Sequence, residues 1–97
     1  MLEYTHHKSI MPSVSLEHDA AKQLGDLPKP MKARMVELIV RLAEWPAVSG
    51  ARALRGNLVG HYRLRTGDYR MQFRIAAGQV IIERVGHRDG FYDEDES

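Results

Sequence analysis

A chain of 97 residues with no cysteine suffices for one domain and not two, and it excludes disulfides and thiolate metal ligands. No apolar run approaches the ~20 residues needed to span a bilayer, and the polar first ten residues, with His6 and His7, do not read as a secretory signal, so a soluble cytoplasmic protein is expected. The formal net charge of +1 conceals a segregation: residues 52–88 hold eight arginines against Asp68 and Glu83, and residues 89–97 hold five acids and no base, which points to a polyanionic partner.

Pro12 to Leu16 alternates, with Val14 and Leu16 on one face, and predicts a short strand with Pro12 at its start or on an edge. Ala20, Ala21, Leu24 and Leu27 then recur at helical spacing, predicting a helix over Asp19–Leu27. Pro28 and Pro30 punctuate the chain, and Pro30 suits the first turn of a second helix over Met31–Trp45. In it Met31, Met35, Leu38, Ile39, Leu42 and Trp45 fall within an arc of ~120° at ~100° per residue, while Lys32, Arg34, Glu37, Arg41 and Glu44 lie off it. Ala33, Val36 and Val40 form a weaker apolar strip on the far side, either incidental surface or a contact for a partner chain. Pro46 ends the helix.

Gly50 and Gly60 frame a connection, after which three strands are predicted. His61–Arg65 turns Tyr62 and Leu64 one way and His61, Arg63 and Arg65 the other. Tyr69–Ile75 turns Tyr69, Met71, Phe73 and Ile75 inward and Arg70, Gln72 and Arg74 outward, and Gln79–Val85 completes the set. Period-two alternation with the short turns Thr66-Gly67-Asp68 and Ala76-Ala77-Gly78 argues an antiparallel meander. The order strand, helix, helix, three strands gives an α+β domain with both helices on one face of an antiparallel sheet.

If the helices take the aliphatic face, the opposite face collects Arg63, Arg65, Arg70 and Arg74, with His61 beside them. Guanidiniums ~5 Å apart on neighbouring strands repel unless an anion lies among them. A solvated arginine-rich surface is the plain explanation, and a ligand with several phosphates is the sharper one. All basic residues after Lys32 are arginine, whose planar fork matches phosphate oxygens bidentately. The segment Val85-Gly86-His87-Arg88-Asp89-Gly90-Phe91-Tyr92 then adds an imidazole, a guanidinium and a phenol at the edge of that face. RNA cleavage needs a base for the 2′-hydroxyl proton, cations for the phosphorane charge and an acid for the leaving oxygen. His87 suits the acid or the base, Arg70 and Arg88 suit the charge, and Tyr92 or Phe91 suits stacking on an unpaired base.

Leu54-Arg55-Gly56, Gly60-His61-Tyr62-Arg63-Leu64-Arg65, Gly67-Asp68-Tyr69-Arg70 and Val85-Gly86-His87-Arg88, with the earlier Ala20-Ala21-Lys22-Gln23-Leu24 and Leu27-Pro28-Lys29, occur in order over about Met11 to Tyr92. Together they resemble the RelE/ParE toxins of type II toxin–antitoxin systems. The resemblance implies a microbial-ribonuclease-like fold, a cognate antitoxin that folds on binding, no cofactor and no metal, and a role in plasmid stabilisation. The RelE branch of that superfamily cleaves mRNA on the ribosome and so inhibits translation, while the ParE branch poisons DNA gyrase. His87 and Arg88 followed by Tyr92 look more like the RelE branch. That branch would make Arg70, Arg88, His87 and Tyr92 the catalytic set, with Arg63, Arg65, Arg74 and His61 binding RNA and ribosome and mRNA as partners.

Two departures qualify the likeness. Arg63 and Arg65 stand where lysine is usual, and a guanidinium does not serve as a general base. The acidic tail, residues 93–97, is unusual beside an RNA cleft and either stays disordered or folds over Arg88. Residues 1–10 read as an extension ahead of a toxin domain at 11–92. Gyrase inhibition, and a degenerate member that only binds antitoxin or RNA, stand as alternatives.

Overall fold

Local pattern and long-range pairing together decide this architecture. The computed structural model describes residues 12–91. The predicted extension 1–10, Tyr92 and the acidic tail lie outside the described residues. Strand β1 (Val14–Leu16) leads into helices α1 (His18–Gly25) and α2 (Lys29–Arg41), and strands β2 (Arg52–Ala53), β3 (His61–Thr66), β4 (Tyr69–Ala76) and β5 (Gln79–His87) follow. Pro30 sits in the first turn of α2, where its missing N–H costs nothing. The helix begins two residues earlier than its apolar arc, and a 3-10 turn, Leu42–Glu44, extends it to Trp45.

The five strands are ordered β1-β5-β4-β3-β2. The predicted meander is there: β3 pairs antiparallel with β4, and β4 with β5. Two-residue turns close both hairpins. Gly67 (φ +58°) supplies the left-handed position in one, and Ala77 (φ +51°) with Gly78 (φ +76°) supply it in the other. The first strand joins this meander in parallel, Val14 opposite Val80 and Leu16 opposite Ile82, because the two-helix hairpin carries the chain across one face before it returns. The sheet is therefore mixed. Arg52–Ala53, within the stretch expected to be a connection, pairs with β3 as the far edge.

One irregularity has consequences for the site. Gln72 opposes Arg84 and Phe73 opposes Ile82, so Glu83 is an extra residue on β5, a β-bulge. Strict alternation would turn Arg84 to the same side as Val80 and Ile82. The bulge resets the phase, so Val85 is buried with Ile82 while Glu83 and Arg84 both reach the open face. Beside the bulge the Val85 N–H donates to Gln23 Oε1 of α1 at 2.9 Å, supplying the partner that a buried amide requires.

Both helices cover the other face, α1 against β5 and β1 and α2 against β3. Met35, Leu42, Met71, Phe73, Val80 and Ile82 are fully buried between the layers. Trp45, Tyr62 and Phe73 form an aromatic cluster there, with ring centroids 4.7 to 5.6 Å apart. The far-side strip of α2 is open, with Val36 and Val40 both exposed.

Candidate functional site

The open face divides into two regions of different chemistry. In the first, residues far apart in sequence surround a cavity of about 290 Å³ lined by Gly50, Arg52, Arg63, Leu64, Arg65, Arg70, Arg88 and Phe91. Five of these eight described residues are arginine and none is acidic. Register explains the gathering: Arg52 opposes Arg63, and Arg65 opposes Arg70. Arg88 comes from the 3-10 turn Arg88–Gly90, tied to the β3–β4 hairpin by its N–H donating to Asp68 O at 2.7 Å.

Unit charges ~5 Å apart repel by about 1 kcal/mol in water and about 3 kcal/mol where solvent is partly excluded. The Arg70 guanidinium registers this environment. Partial burial holds its pKa below the usual arginine value, and the cations Arg65, Arg63 and Arg88 push the same way against Asp68. Arg63 is only 8% exposed, which suits a residue that forms the cavity floor. Among the described residues, the carboxylates of Asp68 and Asp89 reach Arg88 loosely, each at 3.8 Å. Such a concentration of fixed positive charge favours a multivalent anion.

The second region holds His61 and Arg74. Both were expected among the RNA-binding cations, and in the structure both pair with carboxylates. Glu83 accepts from Gln72 at 3.0 Å and from Arg74 at 3.1 Å, and pairs with His61 Nδ1 at 2.8 Å. Arg74 also donates to Glu17. Neither His61 nor Arg74 lines the cavity. Ordinary alternation is the physical reason, since Glu83 follows the buried Ile82 and so turns out onto this face next to them.

Burial alone would raise the Glu83 pKa, but hydrogen bonds from Gln72, His61 and Arg74 outweigh it and hold the carboxyl below its usual range. A depressed carboxylate stabilises the fold above its unfolded pKa of ~4.3, and that contribution disappears as pH falls through the lowered native value. Glu83→Gln should therefore cost about 1 kcal/mol near neutral pH, after allowance for solvent screening. The difference from wild type should vanish in strong acid. Thermal melts of both proteins across pH 2 to 7 check this, and parallel curves throughout would refute it.

His87 ends β5 rather than following it, since the strand runs two residues beyond the predicted Val85. Its ring meets Tyr69 edge-on with centroids 5.2 Å apart. Its Nδ1 accepts the Asp89 N–H at 3.2 Å, so the neutral ring carries its proton on Nε2. It does not line the cavity. Phe91 also departs from expectation: only 3% exposed, it packs against Gly86 and is not free to stack on a base. Tyr92 lies outside the described residues. Arg52 escaped the sequence reading because a two-residue edge strand leaves almost no alternation to detect.

A family model described as the ParE toxin of the type II toxin–antitoxin system parDE matches residues 14–90. The chain belongs to the RelE/ParE toxin family. The toxin is similar to a chain of the RelBE2 toxin–antitoxin complex of Mycobacterium tuberculosis, at 32% identity and TM-score 0.69, over 79% of this chain and 98% of that one. It is similar also to a chain of the archaeal RelE–RelB complex of Pyrococcus horikoshii, at 26% identity and TM-score 0.68, over 80% and 96%. Isolated E. coli RelE shares the toxin's fold, with 19% identity and TM-score 0.68 over 78% and 83%. A search of curated protein sequences found no relative of the toxin. Two of the motifs that suggested the family, Gly60–Arg65 and Gly67–Arg70, bring cavity arginines on β3 and β4, and a third, Val85–Arg88, ends in the cavity residue Arg88.

Proposed function

We propose that this toxin is an endoribonuclease that cleaves mRNA on the ribosome and thereby stops translation. The observation that carries the proposal is the cavity in which five arginines meet with no acid among its described lining residues. Arg63 and Arg65 hold phosphates flanking the scissile bond. Arg70 and Arg88 stabilise the charge that develops on the phosphorane as the 2′-hydroxyl attacks its own phosphate. Proton transfer falls to His87 or Tyr92, and His87 in the tautomer described has Nε2–H to donate. Mapping transcript ends after induction is the test. Cuts in ribosome-bound mRNA support the proposal, and intact mRNA during growth arrest overturns it.

The match to the ParE model favours a second reading, inhibition of DNA gyrase. Trapped gyrase–DNA complexes with uncut transcripts would establish it. The solved relatives from M. tuberculosis and P. horikoshii are toxin–antitoxin complexes, which supports a cognate antitoxin as the partner here. Co-expression of the adjacent short reading frame should then restore growth.

A further inference from the structure

Arg88 reaches the cavity from outside the strands, so something must hold the turn that bears it. Its own side chain is 57% exposed, and its carboxylate contacts are at 3.8 Å, too long to fix a flexible group. The backbone supplies the constraint. The Arg88 N–H is bonded to Asp68 O at 2.7 Å, and Phe91 N–H closes the turn on Arg88 O at 2.9 Å. Beyond the turn, the Phe91 ring lies against Gly86. The Arg84 guanidinium stacks over that ring, 4.0 Å from its centroid, and its Nη2 donates to Gly90 O. One side chain thus grips both the last residue of the turn and the aromatic anchor behind it.

We infer that Arg84 is a positioning residue, a latch that fixes the turn Arg88–Gly90 so that Arg88 points into the phosphate cavity. Arg84 does not line the cavity itself. It stands on the open face only because of the bulge at Glu83, so the bulge serves the site by re-aiming this residue. A guanidinium suits the task because it stacks on a ring through its face while donating through its edge. This inference rests on the reading of the cavity as a phosphate site.

The test measures binding of a labelled 2′-O-methyl oligoribonucleotide, which lacks the attacking hydroxyl, by fluorescence anisotropy. Arg84→Ala should weaken binding about tenfold in the wild-type background. It should do nothing further in an Arg88→Ala background, because a latch acts only through the residue it holds. Additive losses would overturn the inference and make Arg84 a direct phosphate ligand. Hydrogen exchange gives a second readout: Arg84→Ala should expose the Arg88 and Phe91 amides while the β3–β4 ladder stays protected. Unchanged protection at both amides would also overturn it. If Arg70→Ala and Arg88→Ala leave affinity intact, the phosphate cavity fails. If they lower it and Arg84→Ala does not, only the latch fails.

Discussion

Arg70→Ala is expected to abolish the growth arrest caused by the toxin while leaving the folded state no less stable. The two halves of this expectation have one cause. Partial burial, with Arg65, Arg63 and Arg88 nearby, holds the Arg70 pKa down, so its charge is not what stabilises the native state and the substitution should remove none of that stability. A phosphate bound there takes its charge-assisted bonds from the same cations, and losing one costs about 1.5–3 kcal/mol. That is about 10- to 100-fold in affinity, and more in rate if the bond strengthens in the transition state. Arg88→Ala should behave alike, since its side chain is exposed and structurally light. Each variant should also flatten the salt dependence of single-strand binding by about 0.7 in the log–log slope. Colony growth on induction, urea melts and salt titration read the three outcomes. Full toxicity in both variants would remove the cavity from the mechanism.

Phe73→Ala should cost far more stability than Glu83→Gln or any of the arginine substitutions. Phe73 is fully buried, faces Trp45 at 5.3 Å and stacks on Tyr62 at 5.6 Å, and so joins the end of the helical layer to the centre of the sheet. Truncating it forfeits transfer energy and leaves a cavity, together about 3–5 kcal/mol. Domains of this size are stable by about 5–15 kcal/mol in all, so the variant should unfold at far lower urea with an unchanged m-value. A loss below about 1 kcal/mol would mean that the aromatic cluster is not the structural centre described. The contrast with Arg70 separates the two faces of β4. Met71 and Phe73 on one side maintain the fold, and Arg70 on the other side lines the cavity.

Much of this was legible in the chain itself. A strand sends alternate side chains to opposite faces whatever its neighbours are, so Arg63 and Arg65 had to oppose Leu64, and Arg70 had to oppose Met71. The two-residue turn at Gly67-Asp68 then set Arg65 against Arg70, since turn length determines hairpin register. Helical spacing likewise identified Met35, Leu38 and Leu42 as the buried side of α2. Phe91 was the weak point, because a single aromatic after the last strand carries no periodicity to say which way it turns.

Local rules end where one segment must find another. Glu17 meets Arg74 across 57 residues, β1 lies parallel to β5 with both helices and three strands between them in the chain, and Arg52 joins the cavity by edge pairing with β3. No spacing in the chain encodes those meetings, because each depends on packing summed over the whole domain. The bulge at Glu83 shows the limit most clearly. One inserted residue inverts the facing of the strand on either side of it, and only the ladder with β4 reveals that it is there. Sequence alone therefore determined which residue types share a strand face. The tertiary structure decided which arginines gather around the cavity and which are held by Glu17 and Glu83.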